Sequence, residues 1–186
     1  MEKRKYQNTD NSISLLGFGC MRLPLQSEKY EDIDKKQAQE MIDYAYENGV
    51  NYFDTAYPYH NGCSETFIGQ ALARYPRESF YLATKMPIWL INEPQDVEKI
   101  FEEQLRKCQV DYFDFYLLHN LSEERLAIEK RHRIYDHLNE KKRQGQIKYL
   151  GFSFHDSPEV LERIINSYEW DFVQIQLNYM DWEMQQ

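Results

Sequence analysis

Apolar segments typical of β-strands alternate with segments of helical periodicity along this chain. One strand-like segment and one helical segment together take up roughly 25–35 residues before the pattern repeats. Such alternation predicts a parallel sheet whose strands are joined by right-handed helical crossovers. The strand-like segments are centred near Leu16, Tyr52, Phe80, Phe113, Tyr149 and Val173.

Two architectures share this alternation: the open doubly wound sheet and the closed (β/α)8 barrel. An open sheet that binds a dinucleotide normally carries the turn G-x-G-x-x-G after its first strand. Here Gly17 and Gly19 fall within the predicted first strand, 15–19, and Cys20–Arg22 follows, so this fingerprint is missing. A turn signal at 8–11 also predicts a leading β-hairpin, which suits a barrel as a cover for its N-terminal end. We therefore expect an α/β fold of the (β/α)8 TIM-barrel type.

Capping residues predict where the helices begin and end. Asp34, Ser64 and Ser157 are each expected to be the N-cap of a helix. The charged segment 122–142 is expected to form one long helix, which Gly145 closes. Apolar residues at helical spacing predict the buried faces, and in the first helix they are Ala38, Met41, Ile42 and Ala45.

Composition limits the partners of the chain. It has 186 residues, 42% of them hydrophobic, and no apolar run approaches the roughly 18–20 residues of a membrane span. The net charge of −9 argues against nucleic acid as the main partner, since phosphate binding needs a basic face. The basic start has no apolar segment after it, so we expect no secretory signal. We therefore predict a cytoplasmic protein that binds neither nucleic acid nor a membrane.

The cysteines are few and scattered. Cys20, Cys63 and Cys108 show no paired spacing, which argues against a metal or iron–sulfur site in these residues. Their odd number argues against a disulfide framework. Reduced thiols in a cytosolic protein are the expectation.

Three consecutive predicted strands end in an ionisable residue. They are Asp54, Lys85 and His119, and Tyr59 lies on the loop after Asp54. Each alone has an ordinary structural explanation: an aspartate that caps a turn, a solvated lysine, a histidine at the rim of the core, one tyrosine among 15. In a parallel barrel, however, the C-terminal strand ends converge on the face where active sites are found. We therefore expect a carboxylate, an ammonium and an imidazole side by side, with the phenol above them.

Such a group of side chains supports proton donation to a carbonyl oxygen. A free phenol has a pKa near ~10, which a nearby ammonium lowers by stabilising the phenolate. In this hypothesis Lys85 acts on Tyr59, Asp54 keeps Lys85 charged and oriented, and a neutral His119 aligns the substrate oxygen. Tyr59 is then the general acid in reduction and the base in the reverse direction. The hydride must come from a cofactor, because no side chain supplies one.

The chain resembles the aldo-keto reductase family along essentially its whole length. The resemblance rests on LGFG at 16–19, FDTAYPY at 53–59, SETFIG at 64–69, ATK at 83–85, DFYLLH at 114–119 and IKYLGFS at 147–153. Each segment is weak alone, but their order and spacing together are highly specific. The resemblance implies a (β/α)8 barrel that uses NADPH or NADH to reduce an aldehyde or ketone to an alcohol.

The resemblance also implies roles for individual residues. The positions that match the family's catalytic tetrad are Asp54, Tyr59, Lys85 and His119. The implied cofactor-binding residues are Gly19, Cys20 and Met21 at the nicotinamide end, Ser153 and Gln174 at the carboxamide, and Asp54 again. Trp89 lies near the usual position of a substrate-pocket aromatic, with core packing as its alternative. No metal site is implied.

The chain departs from the family pattern in two respects. Phe154 and His155 follow Ser153 where many members have an asparagine that contacts the carboxamide. GFSFH at 151–155 and QLNYMDW at 176–182 resemble a subgroup that often carries a C-terminal iron–sulfur segment. Because the cysteines for it do not occur in these residues, we expect such a cluster only in a segment that is missing here.

The second departure from the family pattern, after the residues that follow Ser153, is the length of the chain. About six predicted βα units and 186 residues, against eight units and ~250 residues for a complete barrel, predict a single C-terminally truncated barrel domain over residues 1–186. The favoured function is that of an NAD(P)H-dependent reductase acting on a small carbonyl compound. The alternatives are a non-catalytic cofactor-sensing or interaction protein on the same barrel, an inactive fragment, and a metal-dependent hydrolase barrel. The hydrolase is disfavoured because Lys85 occupies a ligand position. The substrate, the choice between NADPH and NADH, and the oligomeric state stay open.

Overall fold

The computed structural model describes residues 1–7 and 9–178. Asn8 of the predicted turn and 179–182 of the QLNYMDW segment lie outside the described residues. The strands are β1 (Lys3–Lys5), β2 (Ser12–Ser14), β3 (Phe18–Gly19), β4 (Tyr52–Asp54), β5 (Tyr81–Met86), β6 (Phe113–Leu121), β7 (Ile147–Phe154) and β8 (Phe172–Ile175). The helices are α1 (Lys35–Glu47), α2 (Cys63–Leu72), α3 (Pro94–Cys108), α4 (Glu123–His132), α5 (Ile134–Arg143) and α6 (Pro158–Ile165).

The strands form a hairpin and one larger sheet. Strands β1 and β2 pair antiparallel, which confirms the predicted N-terminal hairpin. The other six strands are hydrogen-bonded in chain order, β3 to β8, and the pairs β3–β4, β4–β5 and β7–β8 are parallel. The prediction of six βα strands in a parallel sheet is therefore confirmed.

The chain divides into two compact units. The first unit comprises Met1–Thr84 and Gln104–Phe113, and the second comprises Lys85–Glu103 and the chain from Asp114 onward. The single domain over residues 1–186 stays a prediction. No helix of the described residues is long and apolar enough to cross a membrane.

The core of the first unit lies between its strands and the helices α1 and α2. Phe53 of β4, Leu82 of β5, Ile42 of α1 and Ile68 of α2 are at most 1% exposed. The N-cap of α1 is the predicted one, because the carboxylate of Asp34 accepts a hydrogen bond from the N–H three residues on. Gly49 ends the same helix in the left-handed conformation, at φ 88°.

Two predictions for the first unit are wrong. The first barrel strand does not begin at residue 15, because the Leu15 N–H donates to the carbonyl of Glu2 and so extends the hairpin. Leu15 and Leu16 are more than half exposed, and only Phe18–Gly19 pairs with β4. Met41, which was expected on the buried face of α1, is 43% exposed.

Ser64 is not the N-cap of α2. The helix begins at Cys63, and Gly62 holds the N-cap position in the left-handed conformation, at φ 88°. The hydroxyl of Ser64 is buried, donates to the carbonyl of Cys20 at 3.3 Å and lies 2.8 Å from the hydroxyl of Thr55. Because a hydroxyl has one proton, Thr55 is the donor in that second bond. Ser64 therefore ties the start of α2 to the ends of β3 and β4.

In the second unit, the predicted single helix over 122–142 is interrupted. Ser122 caps α4, but Arg133 takes a left-handed conformation with φ 53° and separates α4 from α5. The carboxylate of Glu129, which is 1% exposed, accepts the N–H of Tyr135 and the hydroxyl of Tyr168. A buried carboxylate needs such donors, so this contact fixes the break. Gly145 closes α5 at φ 80°, and Ser157 caps α6, both as predicted.

Candidate active site

Asp54 is the last residue of β4, as predicted. In the parallel ladder it lies opposite Gly19 at the end of β3 and Ala83 of β5. It is half-buried. The first unit therefore brings this carboxylate next to the strand end at which the cofactor-binding segment was expected.

Tyr59 lies on the loop after Asp54, in a short 3₁₀ turn, Tyr59–Gly62. Its side chain is half-buried, and its N–H donates to the carbonyl of Ala56. The next residue, His60, is completely buried and left-handed, with φ 52°. The loop that carries the phenol is thus a structured turn.

His60 anchors this turn to the segment that follows β3. Its Nε2 accepts the N–H of Leu23 at 3.1 Å, so its Nδ1 carries the proton and donates to the carbonyl of Tyr30 at 2.8 Å. The imidazole also stacks on the ring of Tyr30, with 4.5 Å between centroids. Sequence reasoning missed His60, although its place directly after Tyr59 was a signal for it.

The predicted cofactor residues after β3 lie in different environments. A Cβ added to Gly19 would meet nothing within 4 Å, so the strand end faces open space. Cys20 is completely buried, whereas Met21 is 49% exposed. Both backbone carbonyls accept a hydrogen bond within the first unit. The carbonyl of Cys20 accepts from the Ser64 hydroxyl, and that of Met21 accepts from the Tyr30 hydroxyl.

Lys85 and His119 belong to the second unit. Lys85 is the last residue but one of β5 and only 2% exposed, and His119 lies two residues before the end of β6. The prediction that these strands end at the two residues is therefore wrong by one and two positions, because the strand pairing continues past them. The grouping of all four tetrad residues stays a prediction.

His119 is a neutral imidazole over the physiological pH range. Burial lowers its pKa from 6.5 to about 3, and the positive charges of Lys85 and Arg125 add to this effect, followed by His155. A lysine whose charge reaches the ring supports the predicted proximity of Lys85 and His119 within this unit. A neutral imidazole at pH 7 retains one N–H donor.

Trp89 lies beside His119. It is in the 3₁₀ turn after β5, is 38% exposed, and its ring centroid is 5.3 Å from that of His119. The guanidinium of Arg125, near the start of α4, lies over the Trp89 ring at 4.9 Å. Sequence reasoning missed Arg125 inside a charged helical segment. The available signal was its position six residues after His119, in the first turn of the helix that follows that strand.

Ser153 and Gln174 are neighbours. Ser153 lies on β7 and is 5% exposed, and Gln174 of β8 is directly opposite in the parallel ladder. The Ser153 hydroxyl accepts the N–H of Asn120 at 2.8 Å, which leaves its own proton to donate. The two predicted carboxamide-binding residues thus present a hydroxyl and an amide side by side.

The first unit also contains a buried carboxylate. Glu65 of α2 is completely buried and accepts hydrogen bonds of 2.6 Å from the Thr84 hydroxyl and from the Gln104 amide. Lys107 lies 3.8 Å from the same carboxylate and 4.2 Å above the ring of Tyr57. Among the described residues there is no group of three or more His, Cys, Asp or Glu side chains arranged to hold a metal ion.

The sequence profile of the Aldo/keto reductase family matches residues 15–186. The chain therefore belongs to this family, and the resemblance seen in its motifs is confirmed. Probable aldo-keto reductase 1 of Glycine max is 31% identical in an alignment that covers 81% of this chain and 44% of that protein. The NADH-specific methylglyoxal reductase of Escherichia coli strain K12 is 27% identical in an alignment that covers 100% of this chain and 61% of that protein.

A solved structure supports the same assignment. The holo form of aldo-keto reductase AKR11C1 from Bacillus halodurans matches with a TM-score of 0.77 and 28% sequence identity, over 95% of this chain and 58% of that one. This match confirms the predicted fold class, an incomplete barrel of the TIM type. The chain spans only about half of the length of the relatives it matches, from 44% to 61% of the two curated proteins named above.

Proposed function

We propose that the protein is an NAD(P)H-dependent reductase that converts an aldehyde or ketone to an alcohol, with Tyr59 as the general acid. The observation that carries this proposal is the neutral His119 beside Lys85 and Trp89. A neutral imidazole donates a hydrogen bond to a carbonyl oxygen without carrying a competing charge. The methylglyoxal reductase activity in the name of the Escherichia coli relative supports a small carbonyl substrate.

Each residue of the predicted tetrad has a separate task in this proposal. His119 holds the carbonyl oxygen, and Tyr59 transfers its phenolic proton to that oxygen as negative charge develops there. The ammonium of Lys85 stabilises the phenolate that remains, and Asp54 keeps the ammonium in place. When bound, the cofactor supplies the hydride to the carbonyl carbon.

The residues expected to hold the cofactor fit a nicotinamide. The open space at Gly19 leaves room for a ring against the strand end. Ser153 and Gln174 lie in register, and a carboxamide needs both donors and acceptors of this kind. Asp54, opposite Gly19, and the Cys20–Met21 backbone complete the proposed cofactor set. NADH and NADPH are both represented in the names of relatives, so the proposal covers either.

The protein is proposed to work in a reducing, cytoplasmic environment. Its three cysteines are free thiols, and Cys20 and Cys108 are buried. Burial also raises the pKa of Cys108, which disfavours the reactive thiolate.

The test is carbonyl reduction by the purified protein and its Tyr59→Phe variant, with NADH and with NADPH, across a panel of small aldehydes and ketones. The variant is expected to lose about 10²- to 10⁴-fold in kcat, the usual contribution of a positioned acid, while its cofactor Kd stays within about twofold. Tyr44→Phe, at a side chain that is 71% exposed on α1, is the matched control and should keep full activity. Undiminished turnover in Tyr59→Phe would remove Tyr59 as the acid. Cofactor binding without turnover of any carbonyl would instead favour a cofactor-sensing protein.

A further inference from the structure

We propose that Arg125 selects carbonyl substrates that carry an anionic oxygen group, a carboxylate or a phosphate. This inference rests on the proposed function and names the substrate class of the same site. Its basis is a cationic group held beside the residue that is proposed to orient the carbonyl. Arg125, Trp89 and His119 all lie in the second unit.

Two contacts hold the guanidinium in place. Its Cζ lies over the Trp89 ring, 4.9 Å from the ring centre, and its Nη1 donates to the carbonyl of Asn120 at 2.8 Å. The imidazole of His119 is 5.3 Å from the same Trp89 ring. A substrate that lies along the Trp89 ring would therefore reach both His119 and Arg125. Guanidinium groups bind carboxylates and phosphates through paired N–H donors, which gives direction as well as strength.

Arg125 forms no salt bridge with an acidic side chain among the described residues. Three of the four other arginines of this unit have a salt bridge: Arg163 with Glu123, Arg133 with Asp136, and Arg143 with Glu140. By contrast, the one hydrogen bond of the Arg125 guanidinium within the described part of the chain goes to a backbone carbonyl. Within residues 1–7 and 9–178, nothing accepts a hydrogen bond from the other four of its five N–H donors.

The positive charge of Arg125 affects two histidines of the second unit, one of them in the candidate site. Its charge contributes to lowering the pKa of His119, and after burial it is the second cause of the lowered pKa of His155. The positive charges of Arg125 and Lys85 both act on His119, in a chain whose net charge is −9. A local positive field in an acidic protein favours an anionic ligand at that place.

A purely structural role for Arg125 makes a different prediction. If the guanidinium only packs against Trp89 and donates a hydrogen bond to the Asn120 carbonyl, its removal would lower the activity toward all substrates alike. If it binds the substrate, its removal affects only the anionic ones. The comparison therefore needs two aldehydes of the same shape that differ in charge, and 4-formylbenzoate and 4-formylbenzamide form such a pair.

The experiment measures kcat/KM for both aldehydes in the wild-type protein, in Arg125→Gln and in Arg125→Lys. The wild type should prefer 4-formylbenzoate. Arg125→Gln should lower kcat/KM for it by about 10- to 100-fold, mainly through KM, with less than threefold change for 4-formylbenzamide. Arg125→Lys should restore part of the preference, since it keeps the charge but not the planar fork. Arg131→Gln, at an exposed position on the same helix, removes the same charge and should leave both aldehydes unaffected.

Further measurements separate the anions and separate this inference from the proposed function. 4-Formylphenyl phosphate replaces the carboxylate by a phosphate, and the anion with the larger loss in Arg125→Gln is the preferred class. Calorimetric binding of benzoate against benzamide tests the same site without turnover. No preference for the anion in either assay, or an equal loss for both aldehydes in Arg125→Gln, overturns the inference. If the protein binds benzoate through Arg125 but reduces no carbonyl compound, the proposed function is overturned and this inference is not.

Discussion

Acidifying the protein from pH 8 to pH 5 is expected to lower its stability through His119. The pKa of this ring is lowered to about 3, first by burial and then by the charges of Lys85 and Arg125. In the unfolded chain the same ring has its ordinary pKa of 6.5. The unfolded state therefore binds a proton over a pH range in which the folded state does not.

The sign and size of the effect follow from these two values. A lowered pKa in the folded state means that the contribution to stability is complete above pH 6.5 and is lost as the pH falls toward 3. Between pH 8 and pH 5 the linkage relation gives a loss of about 2 kcal/mol in the free energy of unfolding from this one group. That is a measurable part of the ~5–15 kcal/mol that is typical of a folded domain.

The assay is urea unfolding at pH 8 and pH 5 for the wild type and for His119→Gln. Because the variant lacks the titrating ring, its loss of stability between the two pH values should be smaller by about 2 kcal/mol. His137→Gln, at an exposed position on α5, is the control and should lose as much as the wild type. In parallel, the ring proton resonance of His119 should not titrate between pH 8 and pH 5.

Two results would refute this reasoning. One is a His119 resonance that titrates with a midpoint near the ordinary value for histidine. The other is the same pH dependence of stability in the wild type and in His119→Gln. Either result would mean that the ring accepts a proton in the folded state, and the neutral donor proposed for the carbonyl would then be lost.

Two further predictions concern buried polar groups of the first unit, each measured by urea unfolding. Glu65→Ala removes the acceptor of two buried donors and the partner of Lys107, and it should lower the free energy of unfolding by about 3–5 kcal/mol. The exposed control Glu102→Ala should stay within about 0.5 kcal/mol, and a loss below about 1 kcal/mol for Glu65→Ala would contradict the prediction. His60→Ala removes two hydrogen bonds to backbone groups and should cost about 2–4 kcal/mol, with faster proteolysis in the loop that carries Tyr59. Unchanged proteolysis there would show that His60 does not hold the loop.

Helix boundaries were predictable where the capping contact is local in sequence. Asp34 and Ser157 each accept a hydrogen bond from the N–H three residues further on, and a pattern of neighbouring residues is enough to find them. Six strands in a parallel sheet were also predictable, because apolar segments and helical periodicity repeat along the chain. These features depend on short stretches of sequence.

Predictions failed where a side chain has a distant partner. The hydroxyl of Ser64 is used by Thr55 and by the carbonyl of Cys20, which is 44 residues away, so it is not free to cap α2. The break at Arg133 depends on Glu129, whose carboxylate is bound by Tyr168, 39 residues away. Neither contact can be predicted from the residues that are close in sequence.

The candidate site shows the same division. The positions of Asp54, Lys85 and His119 near their strand ends follow from the alternation of strands and helices. Arg125 was missed because periodicity treats a charged helix start as a solvated surface. Its contacts with Trp89 and with the Asn120 carbonyl depend on where the side chain points, which sequence spacing alone does not indicate.

The backbone directly after two of the proposed catalytic residues is left-handed. His60 follows Tyr59 and Asn120 follows His119, and both have φ of 52°. For residues other than glycine this conformation costs about 1–3 kcal/mol and persists only where the surroundings enforce it. Hydrogen bonds enforce it at both positions. Both ring nitrogens of His60 are hydrogen-bonded, and Asn120 donates its N–H to the Ser153 hydroxyl while its carbonyl accepts from Arg125. The same conformation occurs at Gln7, Asn61, Gln109 and Arg133, so it does not identify a functional site by itself. What distinguishes His60 and Asn120 is that these hydrogen bonds fix the backbone directly after the proposed catalytic residues Tyr59 and His119.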